Sequence, residues 1–337
     1  MVSKIYESIK HIIKDNYKYI IAWILIYLFF TIPTNSYVII GGGTIDINNR
    51  VEIEDSYKQE GSLNFSYVEE IRGTIATYLL SLIVPKYENE SINNYKYSNE
   101  TYDELLFREK LDLDKANNDA VFLAYTKARR NIEVLKPDIY ISFIDDDKKV
   151  DTDLKVGDKL LKVDDFAIDS IDDYKNYINS KQEGDIVFIR VIDKVGKKKK
   201  RFAKVFMNEN NLYTGIGVCE IDNFKLDPNL KFKFESNESG PSGGLMLTLQ
   251  IYNKLIPEDI TKGRNIVGTG TIDKDGTIGA IGGVKYKLQG AIKNKADIFI
   301  CPKDNLKEAL KEKKKNKTKI RIIGASTFDE VVNELNN

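Results

Sequence analysis

Residues 238–255 read Glu238-Ser239-Gly240-Pro241-Ser242-Gly243-Gly244 and then LMLTLQIYNKL, and this stretch governs the reading of the C-terminal half. Glycine and proline impose a tight turn, and the apolar spacing after it predicts an amphipathic helix. Ser242 falls at the start of that helix. Taken alone, a serine there is most often a simple N-cap. The alternative is chemical: the turn exposes the hydroxyl, and backbone N–H groups at the helix N-terminus form an oxyanion hole.

Further along lies a second unusual segment, Gly268-Thr269-Gly270-Thr271-Ile272, followed by DGTIGAIGGVKYK over residues 275–287. It leads into a helix and then a strand, DIFICP, over residues 297–302. Despite its glycines, the chain holds no GxxxxGK[ST] and no GxGxxG between a strand and a helix, which sets nucleotide binding aside.

Counts over the whole chain narrow the chemistry. The 337 residues carry 51 Lys+Arg against 51 Asp+Glu, so net charge gives no case for a nucleic-acid partner. Hydrophobic residues at 42% suffice for real cores. Cys219 and Cys301 stand far apart, which rules out a disulfide framework and a cysteine zinc site. The one histidine, His11, lies beyond a hydrophobic segment from everything else. No Ser-His-Asp triad, Cys-His dyad or multi-histidine metal site can be assembled, and no metal or cofactor is expected. Amide hydrolysis would need a nucleophile, a base and an oxyanion site, and lysine is the side chain left to serve as a neutral nitrogen base. A free lysine titrates at about 10.4. Burial in an apolar pocket can bring a lysine toward roughly 7 to 8.

Together the two segments resemble the proteolytic domain of Lon proteases. Gly240-Pro241-Ser242-Gly243-Gly244 is similar to the nucleophile motif G-P-S-A-G with glycine for alanine, and 270–287 is similar to T-G-x-I … I-G-G-[LV]-K-x-K. The resemblance covers roughly residues 207–335. It implies Ser242 as nucleophile, Lys287 as general base, Thr269 as the residue orienting the lysine amine, and Gly240, Pro241 and Gly243 as the turn around the oxyanion hole. It also implies that alanine is tolerated at 243. Many Lon domains carry aspartate three residues before the serine, where this chain has Ser239. Helix geometry bears on the choice of lysine. Val284, Leu288, Ala291 and Ile292 form an i, i+4, i+7, i+8 stripe with Lys287 inside it, while Lys285 shares a polar row with Gln289 and Lys293. Lon-type domains commonly form rings, so the resemblance extends to a homo-oligomer, with protein or peptide substrates.

Upstream, residues 154–163 (LKVGDKLLKV) resemble the L-x-x-G-D-x-I-x-x-V core of PDZ domains, with a helix expected over 170–180. PDZ domains bind extended peptides by adding a strand to a sheet edge. The carboxylate loop expected before the first groove strand falls on Leu135-Lys136-Pro137-Asp138, which lacks the usual glycine. The lysines of 197–200 read as a solvated hairpin tip between strands.

At the N-terminus no charged residue occurs between Lys18 and Asp46, and 19–32 reads YIIAWILIYLFFTI. An uncleaved membrane anchor over 19–40 is therefore expected. Lys4, Lys10, Lys14 and Lys18 precede it, and Asp46, Glu52, Glu54 and Asp55 follow. The positive-inside rule then predicts a cytoplasmic N-terminus and a catalytic domain outside a cell membrane. Between the anchor and the PDZ-like part, strand-like alternation over 37–70 gives way to an apolar helix over 73–84 ended by Pro85, a polar loop over 86–99 and a helix over 104–130.

The expected fold class is α+β, with an N-terminal transmembrane helix, a PDZ-like β-rich domain and a Lon-type α/β proteolytic domain. The divisions are 1–18 (cytoplasmic), 19–40 (anchor), 41–134 (strands and helices packing on the protease), 135–206 (PDZ-like) and 207–337 (Lon-type). This order resembles the membrane-anchored PDZ–Lon proteins of Gram-positive bacteria. The function expected is an ATP-independent serine endopeptidase with a Ser-Lys dyad. The alternative is a catalytically silent, membrane-tethered scaffold whose PDZ-like module recruits partners.

Overall fold

The structure is a computed structural model and describes residues 2–84, 87–97, 99–234 and 240–337. Helix α1 (Val2–Thr31) and strand β1 (Pro33–Ile40) are followed by β2 (Thr44–Asp46), β3 (Val51–Ile53) and β4 (Ser62–Ser66). Then come β5 (Glu69–Thr74), α2 (Ile75–Ile83), β6 (Glu88–Ser91) and the long helix α3 (Tyr102–Lys127). The middle of the chain holds β7 (Asn131–Ile144), β8 (Lys159–Val163), β9 (Phe166–Ala167), α4 (Ile171–Asn179) and β10 (Ile186–Ile192). It continues with β11 (Lys198–Lys204), β12 (Phe206–Asn208), β13 (Asn211–Tyr213), β14 (Ile216–Asp227) and β15 (Leu230–Phe232). The C-terminal part is α5 (Gly244–Leu255), β16 (Asn265–Gly268), β17 (Thr271–Ile272), β18 (Ile278–Gly279) and α6 (Val284–Lys293). It ends with β19 (Ile298–Pro302), α7 (Leu306–Lys315), β20 (Arg321–Ala325) and α8 (Phe328–Asn336).

Two units divide the chain, residues 1–41 with 68–95 and residues 42–67 with 96–337. In the first, β1 lies between β5 and β6, antiparallel to both, and buries Tyr37, Val38 and Ile39. Thr74 and Thr77 close a capping box at the start of α2. The stretch expected as a loop contains β6 and a short 3₁₀ turn over Ile92–Asn94. Pro85, Lys86 and Ser98 lie outside the described residues.

The expected membrane anchor is corrected here. The uncharged part of α1 is Tyr19–Thr31, and at 1.5 Å per residue it is about 20 Å long, against about 30 Å of hydrocarbon to be crossed. Proline at 33 biases Ile32 away from helix. The remaining uncharged residues form β1 and spend their backbone groups on β5 and β6. Among the described residues no helix is long and apolar enough to cross a membrane.

The second unit is built on the sheet β2-β4-β16-β19-β20. Strands β4, β16, β19 and β20 are parallel neighbours, and β2 is antiparallel to β4. Alternation sorts the side chains to the two faces. Ile266, Ile298, Ile300 and Ile323 pack with α3, α5 and α8, whereas Val267, Phe299 and Cys301 pack with Val284, Leu288 and Ala291 of α6 and Ala309 of α7. Residues 42–67 supply β4, which pairs with β16 across about 200 positions of sequence, at Leu63↔Ile266 and Phe65↔Gly268.

Between α3 and α5 the chain forms a second sheet, β11-β10-β8-β7-β14, with its own core of Ile139, Ile141, Leu160, Val163, Ile189 and their neighbours. Strand β14 belongs to both parts. Its first residues pack in this core, while Phe224 and Leu226 pack against the core around α5.

Candidate active site

The turn at 240–244 is shaped by its glycines. Gly240 has φ +113°, a backbone region that side chains disfavour, and Pro241–Gly243 form a single 3₁₀ turn that runs directly into α5. Two bonds from the glycine-rich segment then fix Ser242. Its carbonyl accepts from the Gly270 N–H at 2.7 Å and from the Thr269 hydroxyl at 3.0 Å. Leu245 N–H donates to the Gly270 carbonyl at 3.0 Å. The Ser242 hydroxyl is consequently held at the N-terminal end of α5, where the helix dipole favours developing negative charge.

Helix α6 brings the lysine. Val284, Leu288 and Ala291 anchor it to the sheet, and Lys287, one turn after Val284, is 4% exposed. Its Nζ lies 2.8 Å from Ser242 Oγ and 3.1 Å from Thr269 Oγ1. Thr269 is fully buried, and its proton goes to the Ser242 carbonyl, so its oxygen faces the lysine as an acceptor. Such burial disfavours an ammonium group and favours the neutral amine that a base requires. Lys285 is half-buried, with its Nζ 4.6 Å from the centre of the Tyr286 ring.

The structure thus gathers Ser242, Thr269, Lys287 and the 240–243 turn into one site. Ser239 lies outside the described residues. Sequence reasoning missed Phe65, whose ring covers Gly243. A Cβ built on Gly243 would fall 2.9 and 3.0 Å from two of its carbons. Alanine at 243, expected to be tolerated, must push that ring aside. No motif marks Phe65, because its place here depends on the pairing of β4 with β16.

The groove of the inserted module also differs from expectation. Leu135–Asp138 lie inside β7, paired to β14, and Asp138 meets Lys159 at 2.5 Å. A cavity of about 550 Å³ lies instead between α4 and residues 211–218, floored by Tyr174, Ile178, Leu212 and Ile216.

The sheet, four of its five strands parallel, thus carries a serine at a helix N-terminus with a buried lysine in hydrogen-bond contact. Residues 236–336 match the Lon protease (S16) C-terminal proteolytic domain. The Lon protease of Mesomycoplasma hyopneumoniae (strain 232) is 33% identical over 94 residues, which is 28% of this chain and 11% of that protein. The chain therefore spans only a small part of the length of the curated relative it matches. Among solved structures, the PDZ domain of the SdrC-like protein from Listeria monocytogenes is 24% identical with a TM-score of 0.23, covering 26% of this chain and 92% of that one.

Proposed function

We propose that this protein is an endopeptidase acting on polypeptides, with Ser242 as nucleophile and Lys287 as general base. The observation that carries the proposal is the 2.8 Å contact between Lys287 Nζ and Ser242 Oγ with the lysine 4% exposed. Neutral Lys287 takes the hydroxyl proton as Oγ attacks the carbonyl carbon of a peptide bond. The oxyanion develops at the α5 N-terminus. The lysine then returns its proton to the departing amine, and water, activated in the same way, releases the acyl group. Thr269 orients the amine. The proposal includes turnover without ATP.

A fluorophosphonate probe tests this reading. It should label the full chain at Ser242, with labelling lost in Ser242→Ala, and a quenched casein substrate should be cleaved in the absence of nucleotide. Absence of both labelling and cleavage would return the protein to the scaffold alternative, and a strict need for ATP would remove the energetic part of the proposal.

A further inference from the structure

The hairpin of β17 and β18 occupies the chain between Thr269 and Lys287, so its position bears on both halves of the site. Its first arm follows Gly270, whose N–H holds the Ser242 carbonyl. A Cβ built on Gly244, where α5 starts, would fall 3.0 Å from Ile272 Cγ2, so this arm packs directly on that helix. The second arm is held by backbone bonds of its own. Phe328 N–H donates to the Gly276 carbonyl and Ile278 N–H to the Ser326 carbonyl, both at 2.9 Å. Any displacement of the hairpin tip therefore falls on the first arm, the one in contact with Ser242 and α5.

The tip carries Asp273 and Lys274. Lys274 Nζ pairs with the carboxylate of Asp222 on β14 and lies 5.7 Å from the centre of the Phe122 ring on α3. Asp222 stands midway along β14, between the residues that pack in the inserted module and those that pack around α5. Between the pairs Ile221↔Asp138 and Asn223↔Leu135 the register of β14 on β7 slips, and Pro137 there has no N–H to donate. The Asp222 carbonyl accepts instead from the Asn118 amide of α3 at 2.7 Å, which fixes the residue whose side chain reaches Lys274. Charge makes this pair more than a surface contact. The Asp222 side chain is 11% exposed. Asp119 on α3 is 3% exposed, its Oδ2 meets Lys115 at 2.6 Å, and its Oδ1 has no hydrogen-bond partner among the described residues. Asp273 repels the Asp119 carboxylate and Lys274 offsets that repulsion. Without Lys274, the carboxylates of Asp119, Asp222 and Asp273 are left with the Lys115 ammonium, and like charges in a partly dry setting repel strongly. Of the three, only Asp273 belongs to the hairpin, so the tip is the part that moves.

We propose that Lys274, paired with Asp222, is a positioning residue: it ties the first arm of the hairpin to β14 and so holds the Thr269–Gly270 segment that fixes Ser242. The proposal rests on the Ser242–Lys287 reading for its chemistry. It gives that site a support from Asp222, outside the region matched to the proteolytic domain.

Steady-state kinetics on a fluorogenic peptide provide the test. Lys274→Ala should lower kcat about tenfold with KM unchanged, because the nucleophile is displaced while substrate binding is not. Lys274→Gln, which keeps the length without the charge, should behave alike, and Lys274→Arg should stay close to wild type. Adding Asp222→Ala to Lys274→Ala should cost nothing further, since the carboxylate left behind is what drives the tip away. Thermal melts establish that each variant is folded. A wild-type kcat in folded Lys274→Ala and Lys274→Gln, or losses that multiply in the double variant, would overturn the proposal while leaving the dyad standing. A second readout does not need turnover. Amide hydrogen exchange of the full chain, read by mass spectrometry, should quicken at residues 240–247 and 268–274 in Lys274→Ala and keep the wild-type rate in Lys274→Arg. That pattern supports the tether even if the wild-type chain cleaves nothing, an outcome that would sink the dyad alone. Exchange at residues 240–247 that is unchanged in Lys274→Ala overturns the tether.

Discussion

At the scale of single residues, Lys285 and Lys287 of α6 have different surroundings. Lys287 touches Ser242 and Thr269, whereas Lys285 lies against the Tyr286 ring. Lys287→Ala should lower kcat by about 10²–10⁴, and Lys287→Arg should be equally silent in a folded protein because arginine does not become a neutral base. Lys285→Ala should remain close to wild type in the same peptide assay. Gly243→Ala is a packing prediction. Its Cβ would press on Phe65, so it should destabilise by about 1–3 kcal/mol in urea unfolding, and Phe65→Ala should relieve that cost in a double-mutant cycle. The thiols offer a third test at this scale. Burial pushes Cys301 up to about 12 and, with nearby Asp112 contributing, Cys219 up to about 11. Both remain protonated at pH 8, so iodoacetamide should modify neither in the native protein and both after denaturation, as read by mass spectrometry.

At the scale of elements, Asp259 clips the approach to β4 onto the turn after α5. Its carboxylate accepts from Glu60 N–H at 2.8 Å, from the Asn253 amide at 3.0 Å, and from the N–H and hydroxyl of Thr261 at 3.0 and 2.7 Å. Burial alone would raise its pKa, but these donors outweigh it and hold the group below the usual carboxylate range. A carboxyl depressed on folding stabilises above its unfolded value, about 3.9, and the contribution fades as pH falls through the lower folded value. Asp259→Asn should therefore cost about 1–3 kcal/mol in urea unfolding at pH 7 and distinctly less near pH 3. A cost equal at the two pH values would mean that the carboxylate's charge is not what holds this clip.

At the scale of the whole molecule, the sheet beneath the site draws strands from both sides of the inserted module. Strand β4 comes from residues 62–66, β16 from 265–268, and α3 lies against α5 in the core they share. A fragment beginning at residue 207 would leave β16 without β4, one of its two parallel partners, and strip α3 from that core. It should show no cooperative thermal transition by circular dichroism, whereas a fragment of residues 42–337 should melt cooperatively. A cooperative melt of the shorter piece would show that β4 and α3 decorate the fold without completing it.

Local chemistry was legible in the sequence wherever it is local along the chain. Gly240 and Pro241 dictate their turn with neighbouring residues alone, and the i, i+4, i+7 spacing of Val284, Leu288 and Ala291 placed Lys287 on the inward face of α6 before any contact was known. One histidine in 337 residues excluded the imidazole-based mechanisms by counting. What depended on partners far apart was not legible. The run after Lys18 reads as one continuous apolar segment, yet it divides at Pro33 into helix and strand, because β1 satisfies its backbone groups on β5 and β6. Phe65 stands in an ordinary alternating strand, and only parallel pairing with β16 carries it to Gly243. The groove likewise follows from β14 closing the module's sheet beside α4, at the end of the module opposite to Leu135–Asp138. Periodicity fixes which face of an element turns inward, but which element it turns toward is set by burial shared between segments remote in sequence, and that is decided only when the chain folds.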